Sequence, residues 1–552
     1  MSTRVFYSTM VFFALVCCAP KGPGFKVSVT AVDALDLPCA VESLVVLQEP
    51  GAAVAVGEYE SIAFLVSAEG KLHSAPLELK GLPEGVSVET YRVTPQRRRL
   101  RRNREITSPY FLEKETSVTV DSGGSEVYYL TFKPGEQAAA GKYRLRLEVA
   151  GAGAEFDLTV RPFKLMDDPG YFFGAFCGAR DIAITPAHLR DLSERGFDAL
   201  QFFWGSVAVG LANDNGKLKI DFSKVDQWME DFKAAGLKGP VVWSMGNDSR
   251  SHMENRLAGL FDLPRAKPKT VGGKTTDFAD IYNPRLNELV KQLMLAIKER
   301  AEARNWPEIV FIIYDEPTER LMVEHENRYK FIKSFWPELR IYGVTMNRIE
   351  WAESISHMVD IFVANGDFAE ISDLGKRTGK PFWLYGSASS RDAASLRHRY
   401  AWTAWAHDAQ ASWFWAYNYG SNDPYDDFDG RLAESSASMV WPPRTPGGPL
   451  VFSVSWDGMR EAADDIKYLK TLEWMLQQSS SARVGEIGAQ LAEIKAAIPE
   501  GRTVRVLGGD EHDRVQVLEG RKYVVSLRER VAGWIGELLE AEKDSYSQIR
   551  VQ

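Results

Sequence analysis

Phe311-Ile312-Ile313-Tyr314-Asp315-Glu316-Pro317 is an apolar run that ends abruptly in two adjacent carboxylates and a proline. A strand buried on both faces reads as a continuous run of β-branched and aromatic residues, and proline cannot prolong it. Asp315 and Glu316 are therefore expected where a strand leaves a core, the place where barrel enzymes keep their chemistry. Two carboxylates this close repel, and repulsion can hold one of them protonated near neutral pH as a general acid. The same residues also suit a helix N-terminus, with acidic side chains ahead of Pro317. The rest of the chain weighs toward catalysis.

Around this stretch the pattern is an alternation of strands and helices, the mark of a parallel sheet wrapped by helices. Eight runs read as strands, at 171–176, 199–204, 240–245, 309–314, 341–346, 360–365, 381–386 and 411–417. Amphipathic helical patterns fall between most of them, for example at 221–237 and 284–304. This predicts a (β/α)8 TIM-like barrel over 163–478. The stretch 246–283 is too long for a plain connection and is a candidate substrate loop. A helix is expected over 458–478, followed by a helical and mixed extension, 479–552, with a helix at 525–540 packed on the barrel. Residues 25–162 are patterned as short alternating strands broken by glycine and proline turns, which predicts a β-sandwich. Within them the arginine run from Arg97 to Arg104 reads as a solvated loop between strands rather than a polyanion patch.

The chain of 552 residues is too long for one core, and its net charge of −9 argues against a nucleic-acid partner. Its 15 tryptophans suit both core filling and stacking on sugars. Arg4, the apolar run from Val5 to Val16 and the small residues beyond form a secretory signal over 1–19 that is too short to span a bilayer. Leu15-Val16-Cys17-Cys18 also resembles a lipobox with Cys18 as the lipidated residue, although Cys17 is atypical there. An exported protein is expected, periplasmic, secreted or held at the surface, with a lipid anchor as its one link to a membrane. Cys39 and Cys177 fall in different expected domains, so neither a disulfide framework nor a metal cluster is expected.

In the barrel count Asp315 and Glu316 close the fourth strand. A retaining glycosidase with two catalytic carboxyls needs them about 5 Å apart, across the scissile bond. The seventh strand, Pro381-Phe382-Trp383-Leu384-Tyr385-Gly386-Ser387, carries no carboxylate. Adjacent side chains can instead divide a substrate-assisted reaction, in which the sugar's own 2-acetamido oxygen attacks the anomeric carbon. Asp315 suits orientation of the acetamido N–H, and Glu316 suits protonation of the leaving oxygen. Trp204, Trp243, Tyr385, Trp415 and Tyr417 lie at strand ends, where they would wall a sugar pocket or simply fill the barrel. Arg180 and Asn365 are polar candidates for sugar hydroxyls or for loop-tying hydrogen bonds. His252 and His325 lack ligand spacing and read as surface histidines, and no catalytic metal or redox cofactor is implied.

Tyr314-Asp315-Glu316-Pro317, Pro109-Tyr110-Phe111-Leu112, Gly141-Lys142-Tyr143-Arg144, Asp429-Gly430, Trp441-Pro442 and the run from Trp456 to Leu469 together resemble glycoside hydrolase family 123. The long run Trp456-Asp457-Gly458-Met459-Arg460-Glu461-Ala462-Ala463-Asp464-Asp465 is the most specific of these, although Arg460 and Asp464 also have the spacing of a helical ion pair. Ser453-Val454-Ser455-Trp456 departs from the family pattern in lacking an arginine before that helix. The resemblance implies a retaining β-N-acetylgalactosaminidase-type activity on a glycan or glycolipid, with Asp315 orienting the acetamido group and Glu316 as acid/base. Two alternatives stand beside it. One is a glycosidase for sugars without an acetamido group, using Asp248, Asp367 or Asp423 as a distant second carboxylate; the other is a non-hydrolytic glycan-binding surface protein.

Overall fold

The computed structural model describes residues 24–34, 41, 44–100, 104–177, 184–203, 209–245, 253–265, 269–271, 274–276, 279–314, 321–344, 348–387, 392–419, 423–429, 438–498 and 511–541. Eight parallel strands close into a barrel: Phe172–Phe176, Ala199–Phe203, Val241–Ser244, Ile309–Ile312, Arg340–Val344, Ile361–Ala364, Phe382–Ser387 and Ala411–Trp415. These are the eight runs read from the sequence, with ends shifted by one or two residues. Side chains alternate across each strand, and the parallel register sets inward residues of alternate strands into layers. Ala199, Val310, Ile361 and Ala411 form a lower layer, and Val242, Tyr342 and Trp383 the next. Trp383 and Trp413 stack inside the barrel with centroids 5.6 Å apart. Gly174 makes room for them, because a Cβ there would lie 2.4 Å from the Trp413 ring.

The opposite faces of the same strands are equally apolar and meet the helices, which is why the runs show no period-two signal. Trp243 and Phe311, paired in register, stack with centroids 5.7 Å apart in this outer layer. The helix Pro284–Arg304 begins at Asn283, whose side chain accepts from the Arg285 and Leu286 N–H groups, and ends where Asn305 takes a left-handed conformation.

Before the barrel, a seven-stranded and a five-stranded sheet face one another across Val54, Ile62, Phe64, Leu130, Leu145, Phe156 and Leu158. Two strands of the larger sheet, Val440–Trp441 and Val451–Ser453, come from the connection after the eighth barrel strand. Val451–Ser453 pairs with Arg104–Lys114, Phe452 opposite Leu112, so the barrel and the N-terminal sheets share a hydrogen-bonded edge. The arginine run corrects the loop expectation in part, since 97–100 and 104 belong to strands, while 101–103 lie outside the described residues. Val86–Leu100 and Arg104–Lys114 stay paired as far as Leu100 opposite Arg104, and Glu105 accepts from Arg97 Nε at 3.1 Å. Cross-strand charge pairing of this kind lets a basic run remain a strand.

The helix Val454–Gln478 starts four residues earlier than its sequence pattern indicated, because Ser453 caps it by accepting from Trp456 N–H at 3.1 Å. It is buried on nearly every face. Arg460 bonds Asp457 at 2.9 Å and lies 3.7 Å from Asp464, while Trp456 donates to Asp191 at 3.1 Å. The most family-like motif is thus a structural core that joins barrel to sheets. Arg528, on the C-terminal helix Glu511–Ala541, donates to Glu58 at 3.0 Å, Glu60 at 3.2 Å and Glu461 at 2.6 Å, and also to Asp465.

This buried chemistry sets a pH optimum for stability. Burial, opposed by Lys467 and Arg460, lifts the Asp464 carboxyl to about 8, and burial also raises Glu58 and Glu60. A carboxyl raised on folding binds a proton that the unfolded chain has lost, so its contribution falls as pH rises toward 8. His188, His325 and His398 are pushed down by burial to about 4. They stay neutral in the fold while the unfolded chain protonates near 6.5, so stability also falls as pH drops from 6.5 to 4. Thermal unfolding followed from pH 4 to 9 is expected to peak near pH 6–7. An upper limb that keeps rising to pH 8 would contradict a protonated Asp464, and Asp464→Asn should flatten that limb.

Candidate active site

The barrel mouth is the C-terminal end of the eight strands. Its inner wall is aromatic: Phe176 lies 5.8 Å from Tyr385 and 5.2 Å from Trp415, and Trp415 lies 5.2 Å from Tyr419. Asn365 follows the sixth strand, whose Ala364 pairs with Leu384, so Asn365 and Tyr385 are neighbours. Arg399 holds this corner from behind, donating through Nη2 to the Asn365 carbonyl at 2.9 Å and the Tyr385 carbonyl at 3.1 Å. The Asn365 Oδ1 atom is buried and has no hydrogen-bond partner among the described residues. Of the strand-end set, then, Asn365, Tyr385 and Trp415 come together at the mouth.

Trp243 and Tyr417 do not. The Trp243 ring is fully buried on the helix-facing side of the third strand, stacked on Phe311. The Tyr417 hydroxyl donates to Asp191 at 2.8 Å and its ring packs 5.2 Å from Trp456. The eighth strand ends at Trp415, so the chain has left the strand's alternation before Tyr417 and turned it toward the helices. His325 is also corrected. It is 1% exposed rather than on the surface, its Nε2 lying 3.3 Å from the Met358 carbonyl. Asp315, Glu316, Arg180, Trp204, Asp248 and His252 lie outside the described residues. Asp367 precedes the helix Phe368–Thr378 and accepts from Ile349 N–H at 3.2 Å, and Asp423 accepts from Tyr425 N–H at 3.0 Å.

The approach to the acidic pair is firmly held. Tyr314 is 3% exposed, and burial together with the charge of Glu254 lifts its hydroxyl well above the usual phenol range. Glu254 comes from the helix Met253–Leu260 of the long insertion and pairs with Arg328 at 2.5 Å, with both side chains fully buried. Arg328 also donates to Asn287 at 2.9 Å. A carboxylate and a guanidinium buried together, with further hydrogen bonds, fix geometry where an isolated charge would be intolerable. Their position directly behind Tyr314 anchors the end of the fourth strand one residue before Asp315.

Sequence reading missed Gln201. Its side chain faces into the barrel one layer below Phe176 and Tyr385, is 0% exposed, and has neither Oε1 nor Nε2 hydrogen-bonded among the described residues. Leaving a buried amide unpaired costs about 1–3 kcal/mol. The signal was present, since Gln201 is the one polar residue of the otherwise apolar strand Ala199–Phe203. With Asn365 it supplies buried hydrogen-bonding capacity beneath an aromatic wall, the combination a polar ring with one apolar face would occupy.

Residues 199–472 match the glycoside hydrolase 123 catalytic domain, from the second barrel strand into the helix Val454–Gln478. The structure is similar to that of a family 123 glycoside hydrolase from Clostridium perfringens, studied for glycolipid glycan hydrolysis. That similarity has a TM-score of 0.68 and 10% identity, over 93% of this chain and 99% of that one. A family 39 glycoside hydrolase from Bacteroides cellulosilyticus WH2 matches with a TM-score of 0.39 and 13% identity, over 75% of this chain and 81% of that one. Among curated proteins none is similar in sequence. The first barrel strand, Phe172–Phe176, and the sheet strands before it lie outside the matched family domain. With its family domain set in a closed eight-stranded barrel, the chain belongs to glycoside hydrolase family 123 and is a glycoside hydrolase.

Proposed function

We propose that this hydrolase is exported and removes β-linked 2-acetamido sugars, N-acetylgalactosamine foremost, from a glycan or glycolipid with retention of configuration. The adjacency of Asp315 and Glu316 after the fourth strand carries this reading, together with a seventh strand that has no carboxylate. Glycolipid as the substrate class is supported by what the Clostridium relative is described as hydrolysing. Export rests on the secretory pattern of residues 1–19. In this reading residues 25–162 form a β-sandwich domain, 163–478 the catalytic barrel and 479–552 an extension packed on it.

Glu316 transfers its proton to the glycosidic oxygen as that bond breaks, and the acetamido oxygen closes on the anomeric carbon. Asp315 accepts from the acetamido N–H and stabilises the positive charge that spreads onto the forming oxazolinium ring. Glu316, now a carboxylate, takes a proton from the water that reopens the ring, so two inversions give net retention. Phe176, Tyr385 and Trp415 offer the apolar wall, and Asn365 an acceptor for a sugar hydroxyl.

Hydrolysis of three aryl β-glycosides tests the reading: the N-acetylgalactosaminide, the N-acetylglucosaminide and the plain galactoside. Turnover confined to the acetamido sugars, with tight inhibition by an oxazoline-mimicking thiazoline, is expected. Equal cleavage of the plain galactoside would remove substrate assistance and return the search to a distant second carboxylate.

A further inference from the structure

Between the seventh and eighth barrel strands the helix Ala393–Arg397 widens into a π-helical turn, His398–Thr403. Such turns are rare and recur at functional sites. This one carries Arg399, whose guanidinium reaches the mouth ends of the sixth and seventh strands. The pairing of those two strands runs as far as Ala364 opposite Leu384. One residue beyond, Arg399 takes over from the ladder. Its Nη2 directs hydrogen bonds to the backbone carbonyls of Asn365 and Tyr385, at 2.9 and 3.1 Å.

Gly386 makes this reach possible. A Cβ on Gly386 would lie 2.7 Å from Arg399 Nη2, 2.9 Å from Nε and 3.1 Å from Cζ. The centre of the Phe368 ring lies 5.3 Å from the same guanidinium. A planar fork seated against backbone and an aromatic ring is fixed in orientation, where a lysine ammonium would swing on its stem.

The two residues held in this way are those the mouth offers to a sugar. Tyr385 belongs to the aromatic wall, 5.8 Å from Phe176. Asn365 keeps a buried Oδ1 that has no partner among the described residues. A few precisely placed polar groups beside an apolar wall orient a ligand, and they discriminate only while their position is fixed. We propose that Arg399 is a positioning residue for sugar recognition, fixing Asn365 as the acceptor for one hydroxyl of the cleaved sugar, with Gly386 as the residue that admits it. Arg399 acts through the backbone of Asn365 and Tyr385 and not by touching the sugar. This deepens the glycosidase reading and rests on it for the identity of that sugar.

Deoxy sugars test it. The full-length protein is assayed on the aryl β-N-acetylgalactosaminide and on its 3-, 4- and 6-deoxy analogues. The wild type is expected to lose roughly tenfold or more in kcat/KM on one of the three, because the acceptor is then left without its donor. Asn365→Ala should cleave that analogue and the parent within about twofold of each other. Arg399→Met and Gly386→Ala should each shrink the same preference to about threefold or less, and together no further than either alone, since both act on one guanidinium. In Gly386→Ala the added methyl group meets the end of a flexible side chain and not backbone, so this variant should melt close to the wild-type temperature. Lost folding lowers turnover of parent and analogue by the same factor and leaves the preference intact. A wild type indifferent to all three deoxygenations, or a preference that survives in any of the three variants, overturns the inference. A protein that cleaves the plain galactoside equally well sinks substrate assistance by Asp315 and Glu316, while the same deoxy series built on galactose still decides the role of Arg399. If neither parent turns over, the acetamido reading falls, and the preference is read from calorimetric binding of the methyl glycosides.

Discussion

Glu316→Gln is expected to lower kcat/KM by about 10³-fold on an unactivated acetamido glycoside, within the 10²–10⁴ that a positioned general acid contributes. The amide keeps the shape of the carboxyl but cannot give a proton to an alkoxide leaving group. With an aryl glycoside whose phenol leaves unaided, the loss should shrink to roughly tenfold or less in the first step. The alkaline limb of the pH–rate profile should disappear with the acid that produces it. Wild-type rates on the unactivated substrate would show that Glu316 is not the acid. The contrast between leaving groups matters more than either rate, because a variant that merely distorted the site would slow both substrates alike.

Arg528→Met should cost about 3–5 kcal/mol of stability, the usual penalty for removing one partner of a buried charge cluster. The guanidinium is 3% exposed and serves Glu58 and Glu60 of the N-terminal sheets and Glu461 and Asp465 of the helix Val454–Gln478. Its loss leaves several carboxylates buried with too little positive charge, although Arg397 at 2.8 Å and Trp402 at 3.1 Å still hold Asp465. Chemical unfolding at several pH values checks this. The deficit should be largest near pH 8 and smaller near pH 5, where the stranded carboxyls can take up protons. A variant as stable as the wild type at pH 8 would mean that Arg528 is not the weld between sheets, barrel and C-terminal helix.

Much of this molecule is legible in its sequence, and the failures share a cause. The barrel strands announced themselves as apolar runs because a doubly covered parallel strand is apolar on both faces. That same property hid which face each side chain takes, since a run without period-two alternation does not say in from out. Trp243 therefore looked as eligible for the mouth as Tyr385, although they lie on opposite sides of the barrel wall. Tyr417 shares the parity of Trp415, but the strand ends between them and the parity no longer applies. His325 looked exposed because the groups that meet it, the Met358 carbonyl and the Tyr314 ring, come from outside its own helix. The stretch 97–100 looked like part of a loop because the partner of Arg97, Glu105, acts across the strand pair.

The amino-acid sequence by itself determined the order of the eight barrel strands, the placement of Asp315 and Glu316 directly after the fourth, and the resemblance to family 123. These are local facts, written in runs of a few residues whose period and termination follow from backbone sterics and hydrogen bonding. Tertiary structure alone decided which aromatics wall the mouth. It also buried the amides of Gln201 and Gln96 without partners, and brought Phe111 within 5.3 Å of Tyr425 across more than half the length of the chain. Such facts depend on what faces a side chain, and the facing residue is chosen by long-range packing that no local pattern encodes.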